Sequence, residues 1–339
     1  MTGCGVLTFT DKGIYCPAGD FYIDPWRPVP RALITHAHAD HARWGHGQYL
    51  ATPRSLAVMR HRLGQISAQT ADYGHVLRIN DAEVSFHPAG HVPGSAQIRV
   101  SVAGQVWVAS GDYKTENDGL SEAFEPLRCH SFITESTFGL PVFRWQPQPQ
   151  IAQQILRWWA DNAAVGKTSV LGAYALGKAQ RLLHMLADGP GPGPVLCHAA
   201  VENTNACLRA AGVALPHSDV LTQECSAKTH PGALIIAPPG AIEASWTRRF
   251  GPTELALASG WMGLRGIRRR RAMATGFVVS DHADWPGLLQ ATKETGAENI
   301  YVTHGYTDIF TRYLNENGHS AQVVPTEFGT EDDDSAGPT

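Results

Sequence analysis

Three imidazoles and a carboxylate fall within Thr35-His36-Ala37-His38-Ala39-Asp40-His41, directly after Arg31-Ala32-Leu33-Ile34, which reads as the end of a buried strand. Few structural needs gather so many titratable groups at the tip of an apolar strand, and the H-x-H-x-D-H spacing suits metal ligation. A loop leaving a strand turns alternate side chains toward different points, so His36 and His38 converge on one ion while Asp40 and His41 reach a second. Two more strand-like runs each lead into one further candidate. Glu83-Val84-Ser85-Phe86 precedes Gly90-His91-Val92-Pro93-Gly94, and Gln105-Val106-Trp107-Val108-Ala109 precedes Ser110-Gly111-Asp112-Tyr113. A carboxylate such as Asp112 bridges two divalent ions at the roughly 3.5–4 Å separation of hydrolytic two-metal sites. His91 completes the first ion's set; His87, inside the strand run, is the competing candidate.

These motifs resemble the metallo-β-lactamase superfamily, whose signature is H-x-H-x-D-H followed by a separate His and a separate Asp. The C-terminal half is similar to the β-CASP nucleases in three further stretches, in order: Thr134-Glu135-Ser136-Thr137-Phe138-Gly139, Ser280-Asp281-His282-Ala283-Asp284 and Val302-Thr303-His304-Gly305. The resemblance implies that Glu135 orients His282 and that His304 is a metal ligand. Gly13-Ile14-Tyr15-Cys16-Pro17-Ala18-Gly19-Asp20 through Trp26, His41 to His46 and Asp281 to Gly287 resemble the bacterial ligase-associated DNA exonucleases. One position departs: DNA-specific eukaryotic relatives carry valine where this chain has His304, and RNA-processing members carry histidine.

The elements that must position these residues show two rhythms. Up to about residue 140 the pattern is short alternating strands and tight turns, as in Ile98 to Val102, Ala103-Gly104 and Val106 to Ala109. From Ile151 helix and strand alternate: Ile151 to Ala164, Ser169 to Leu171, Lys178 to Leu186, Pro194 to Cys197, the mark of an α/β insert with a parallel sheet. The resemblance then implies an α/β (α+β) fold class, a metallo-β-lactamase αββα sandwich with an inserted β-CASP domain. Its parts are expected at 1–144, with the insert at 145–275, the returning segment at 276–328 and an acidic disordered tail at 329–339.

Composition adds exclusions. With 339 residues, 43% of them hydrophobic, the chain can bury a sizeable core, and no long uncharged apolar run or basic-then-apolar start calls for a membrane or secretion. Six cysteines without C-x-x-C spacing read as reduced thiols, and a cytoplasmic location is expected. A net charge of −4 means that nucleic acid would have to be met by a local basic surface. The dense run is Arg268-Arg269-Arg270-Arg271, which reads equally as a phosphate-binding groove and as a solvated loop face. Gly172 to Ala179 nearly fits a phosphate loop but lacks its final hydroxyl, which argues against a nucleoside triphosphatase; Lys178 and the helix start there remain a candidate phosphate contact.

The expected function is a two-metal DNA exonuclease that hydrolyses phosphodiester bonds in DNA repair or end processing. Its cofactors are two divalent ions, zinc first and manganese second, one held by His36, His38, His91 and Asp112, the other by Asp40, His41, Asp112 and His304. Asp40 helps orient the attacking water, His282 held by Glu135 is the general acid, and Asp24, close before the His loop, is the partner that fixes a ligand's tautomer. DNA is the expected partner, and the resemblance implies a DNA ligase and helicase pathway. Three alternatives stay open: an RNA-processing ribonuclease with the same ligands; a small-molecule metallohydrolase, which leaves Glu135, His282 and His304 unexplained; and a non-catalytic scaffold, which would be expected to have lost ligands, whereas none is lost here.

Overall fold

The computed structural model describes residues 5–264, 266 and 275–328, so the Arg268 to Arg271 run and the acidic tail lie outside the described residues. Two compact units divide the described chain: one comprises residues up to Arg144 and from His282 onward, the other Trp145–Asp281.

Two sheets build the first unit. Strands β1 (Thr8–Thr10), β2 (Gly13–Cys16), β3 (Phe21–Ile23), β4 (Arg31–Leu33), β5 (Gln48–Ala51) and β6 (Ala68–Thr70) pair in chain order. The second sheet takes β7 (Leu77–Ile79), β8 (Ala82–Pro88), β9 (Ala96–Val102), β10 (Gln105–Ala109) and β11 (Ser131–Ser136). It is completed beside β11 by the late strands β18 (Asn299–Gly305) and β19 (Ser320–Val323). Side chains alternate across a strand, so a central strand such as β10 feeds two cores. Trp107 and Ala109 pack with Ile14, Phe21 and Leu33 of the first sheet, whereas Val108 between them joins Trp285, Leu288 and Phe310. The first cluster lies between the facing sheets, and the second lies under the helices of the returning segment, α5 (Trp285–Thr295) and α6 (Thr307–Glu316). Helix α1 (Pro53–Leu63) adjoins β6, with Thr52 capping its first turn. The result is a mixed α/β fold of facing sheets with flanking helices.

In the second unit, helices α2 (Gln148–Ala164), α3 (Lys178–Leu186) and α4 (Ala199–Ala210) accompany a sheet whose ladders are all parallel. Its strands are β12 (Thr168–Gly172), β13 (Val195–Cys197), β14 (Asp219–Val220), β15 (Leu234–Ala237), β16 (Thr253–Ala258) and β17 (Thr275–Phe277), in spatial order β14-β13-β15-β12-β16-β17. Val170, Leu171, Leu234, Ile235 and Ile236 are all buried, as a strand covered on both faces requires. One boundary differs from the expectation. Phe277, placed by the sequence in the returning segment from 276, belongs to β17, which pairs with β16 through Ala258↔Phe277, and the return begins at His282. A short apolar run satisfies either sheet, and only register selects the partner. Among the described residues no helix is long and apolar enough to cross a membrane.

Candidate metal centre

Every candidate ligand of the first unit stands at or just past the carboxyl end of a strand: His36 to His41 after β4, His91 after β8, Asp112 after β10, and His304 near the end of β18. Three local devices hold those loops. Gly111 has φ +56°, and a Cβ there would stand 2.6 Å from Thr35 Oγ1, so only glycine lets the Asp112 loop lie against the His36 loop. Ser95 Oγ accepts from the backbone N–H of His91 at 3.1 Å and of Val92 at 3.2 Å, closing the His91 turn. Between β11 and β18 the register jumps from Thr134↔Val302 to Ser136↔Gly305, a bulge that sets the aim of Glu135 and His304. Ser136 Oγ donates to the carbonyl of His304 at 2.7 Å and fastens the bulged strand.

The side chains fall into three overlapping groups. His36, His38, His91 and Asp112 offer donor atoms within 4.8 Å of one another; so do His41, Asp112 and His304, and so do Asp112, Glu135 and His282. Asp112 is common to all three. Its Oδ2 is 3.5 Å from His36 Nε2 and from His41 Nε2 and 3.8 Å from His91 Nε2, while Oδ1 is 2.9 Å from His304 Nε2. Asp40 Oδ2 lies 3.5 Å from His41 Nε2, which sets it beside the second group. His38 Nδ1 and His91 Nε2 approach to 3.0 Å.

The far nitrogens are tied down by groups that reveal which tautomer each ring holds. Asp24, buried just past β3, accepts from the Thr35 backbone N–H at 2.8 Å, from Thr35 Oγ1 at 2.5 Å and from His41 Nδ1 at 2.8 Å. Since the Thr35 hydroxyl gives its only proton to Asp24, it can only accept from His36 Nδ1, 3.0 Å away. Thr303 repeats the device: Oγ1 donates to the Thr134 carbonyl at 3.0 Å and faces His304 Nδ1 at 3.3 Å. In His36, His41 and His304 the Nδ1 proton is thus engaged, which leaves Nε2 as the lone pair for an ion. Sequence reasoning missed Thr35 and Thr303; their signal is a Thr directly before each of two ligand histidines.

Charge and burial act together. Burial and then the neighbouring His41 and His91 imidazoles hold His36 well below the usual imidazole range, so it is neutral. For His41 burial opposes the charge, but Asp40, Asp112 and Asp24 outweigh it and raise the ring well above that range. Burial works against ionised Asp112 as well, yet His41, His304 and His282 bring it well below the carboxylate range. A field that holds a proton on a buried ring would hold a cation in its place. His36 Nε2 is buried and makes no hydrogen bond, an arrangement that costs about 1–3 kcal/mol unless a partner arrives. Imidazole with carboxylate suits Zn²⁺ and tolerates Mn²⁺, so the residues fit divalent ions.

Beside these groups, Glu135 accepts from His282 Nδ1 at 2.8 Å and from the Tyr113 backbone N–H at 2.8 Å, which couples His282 to the Asp112 loop. Asp284 caps α5 by accepting from the Gly287 N–H at 3.0 Å, fixing the chain two residues after His282. His87, the competing ligand, is instead engaged by Ser85 Oγ at 2.9 Å and Glu125 at 3.1 Å. Lys178 also departs from its expected use. It is buried with Nζ 3.3 Å from Asp281, and Arg181 Nε meets the same carboxylate at 3.0 Å, so it does not present a phosphate contact to solvent. A buried ammonium needs a counter-charge, and an exposed-looking G-K-A turn does not reveal where that charge comes from.

Facing sheets flanked by helices, carrying donor groups that share one carboxylate, define an α/β protein with a candidate metal centre. No family model matches the chain. It is 29% identical over 325 residues to a probable DNA ligase of Opitutus terrae, a match that covers 92% of this chain and 30% of that protein. With endoribonuclease YSH1 of Saccharomyces cerevisiae it shares 26% identity over 294 residues, covering 70% of this chain and 37% of the relative. Ribonuclease TTHA0252 of Thermus thermophilus is 26% identical over 196 residues, 49% of this chain and 44% of that one. The chain therefore spans less than half the length of each of these relatives. A solved structure of a protein of unknown function from Enterococcus faecalis V583 shares the fold, with a TM-score of 0.56 at 11% identity over 88% of this chain and 80% of that one.

Proposed function

We propose that this chain is a β-CASP nuclease of the metallo-β-lactamase superfamily, a metal-dependent phosphodiesterase that acts as a DNA exonuclease in repair or end processing. The observation that carries the reading is the sharing of Asp112 between two donor groups with the Glu135–His282 pair beside them. A small-molecule hydrolase needs no such pair. Two divalent ions, held by His36, His38, His91 and Asp112 and by Asp40, His41, Asp112 and His304, would supply positive charge for phosphate oxygens and acidify a water.

The chain's own residues do the rest. Asp40, at 18% side-chain exposure the most open of the acidic groups here, orients the attacking water. Glu135 takes the Nδ1 hydrogen bond of His282, so Nε2 is the atom from which a proton reaches the departing oxygen. Glu135 then balances the charge of the protonated ring. Phosphates along the strand meet the Arg268 to Arg271 run, so affinity falls as salt rises.

DNA is favoured because the relative that matches along 92% of the chain is named a probable DNA ligase. A pathway shared with a DNA ligase rests on the same likeness, and a helicase in it rests only on the family resemblance of the motifs. The ribonuclease relatives and His304 support a second reading, an RNA-processing enzyme with identical ligands. Digestion of end-labelled single- and double-stranded DNA and RNA, with Zn²⁺ or Mn²⁺, separates the two. Stepwise trimming of linear DNA is the expected result. Faster cutting of RNA of the same sequence, or equal cutting of circular DNA, would overturn the DNA exonuclease reading.

A further inference from the structure

Phe328 lies flat against one of the candidate ligands. Its ring is parallel to His41, with centroids 4.4 Å apart and 9° between the planes, and it meets His304 edge-on at 5.4 Å and Trp26 edge-on at 5.6 Å. His41 and His304 are the two imidazoles of the second donor group. The neighbouring residue anchors this contact: Glu327 pairs with Arg27 at 2.7 Å, and Arg43 Nη2 donates to the Glu327 carbonyl. Arg43 also donates through Nε to the Asp40 carbonyl at 3.0 Å, so one guanidinium ties the ligand loop to the segment that carries Phe328.

The contact does two things for His41. Asp24 holds the ring at Nδ1 and the His36 ring meets it tilted at 4.2 Å; Phe328, stacked flat on the imidazole, limits the tilt that these contacts leave. Phe328 also closes the space over the Asp24–His41 bond. The void bounded by Asp24, His41, Ser110, His304 and Phe328 measures about 10 Å³, barely room for one water. A dry neighbourhood strengthens the attraction of Asp24 and Asp112 for a cation bound beside the ring.

We propose that Phe328 is a positioning residue for the second donor group: by stacking on His41 and meeting His304 edge-on, it sets how tightly that group keeps its divalent ion. Among the described residues, the ring contacts of Phe328 are to His41, His304 and Trp26 and to none of the first group's imidazoles, His36, His38 and His91. This rests on the metal-centre reading above. The test is calorimetric titration of metal-free protein with Zn²⁺, for the native chain, Phe328→Leu and Phe328→Tyr. Two binding steps are expected in the native chain, of which Phe328→Leu weakens one by about 10- to 100-fold and leaves the other in place. Phe328→Tyr, which keeps the ring, should stay close to the native values, a rescue that loss of bulk packing alone would not give. Equal affinities in all three proteins would overturn the role of Phe328 while leaving the metal centre intact, and so would an equal weakening of both steps in both variants. A native chain that binds no Zn²⁺ would overturn the metal centre itself.

Discussion

The two donor groups meet at Asp112 but are made from different parts of the chain. The first, His36, His38 and His91 with Asp112, comes wholly from residues before 113, on loops that follow β4, β8 and β10. The second joins His41 and Asp112 to His304, which arrives on a late strand whose bulge decides its aim, under a ring contributed by Phe328. The first group has three imidazoles and a single carboxylate, and His36 is held neutral by burial. The second is governed by carboxylates, which keep His41 charged until a cation replaces its proton. One site thus combines a group supplied from two sheets by the first 112 residues with another that also needs a strand of the returning segment.

Removing the shared carboxylate should have the largest effect. Asp112→Ala is expected to lower metal occupancy at both groups and cut phosphodiesterase activity by roughly 10³-fold or more, since several kcal/mol of charge stabilisation go with the ions. Elemental analysis alongside circular dichroism checks it. Retention of both ions would break the idea that the groups share one ligand.

Proton transfer should separate from ion binding. His282→Ala is expected to keep two ions yet lose roughly 10²- to 10⁴-fold in rate, with a smaller loss for Glu135→Gln. If His282→Ala loses an ion, the group of Asp112, Glu135 and His282 is a third ligand set rather than an acid beside two others.

The finest distinction is between the two threonines. Thr35→Val deletes the hydroxyl between Asp24 and His36 and should weaken the first ion by about tenfold, whereas Thr303→Val should weaken the second by a similar factor. Asp24 keeps its bonds to His41 and to the Thr35 backbone in the first variant, so the second ion should be spared. Two-step Zn²⁺ titrations of both variants read this directly. Identical effects of the two substitutions would show that the groups do not behave separately.

Local spacing determined what a short stretch of chain can encode. His36, His38, Asp40 and His41 were legible because one loop carries them all, and His91 and Asp112 because each follows an apolar strand whose end must turn outward. Glu135, His282 and His304 were legible only through resemblance, as nothing in their own spacing brings residues 147 positions apart onto one hydrogen bond. Helix α3 from Lys178 to Leu186 was plain from its apolar period, but the fate of Lys178 was not, because its counter-charge Asp281 comes from a different turn of the chain. The same holds for Phe277, whose sheet depends on register, and for Thr35, Thr303 and Phe328. A hydroxyl fixes a tautomer, and a ring holds an imidazole, only through the partner it meets in space. Sequence could name the residues able to bind an ion; tertiary packing decided which nitrogen of His36, His41 and His304 is left for one, because that choice is made by the hydrogen bond on the far side.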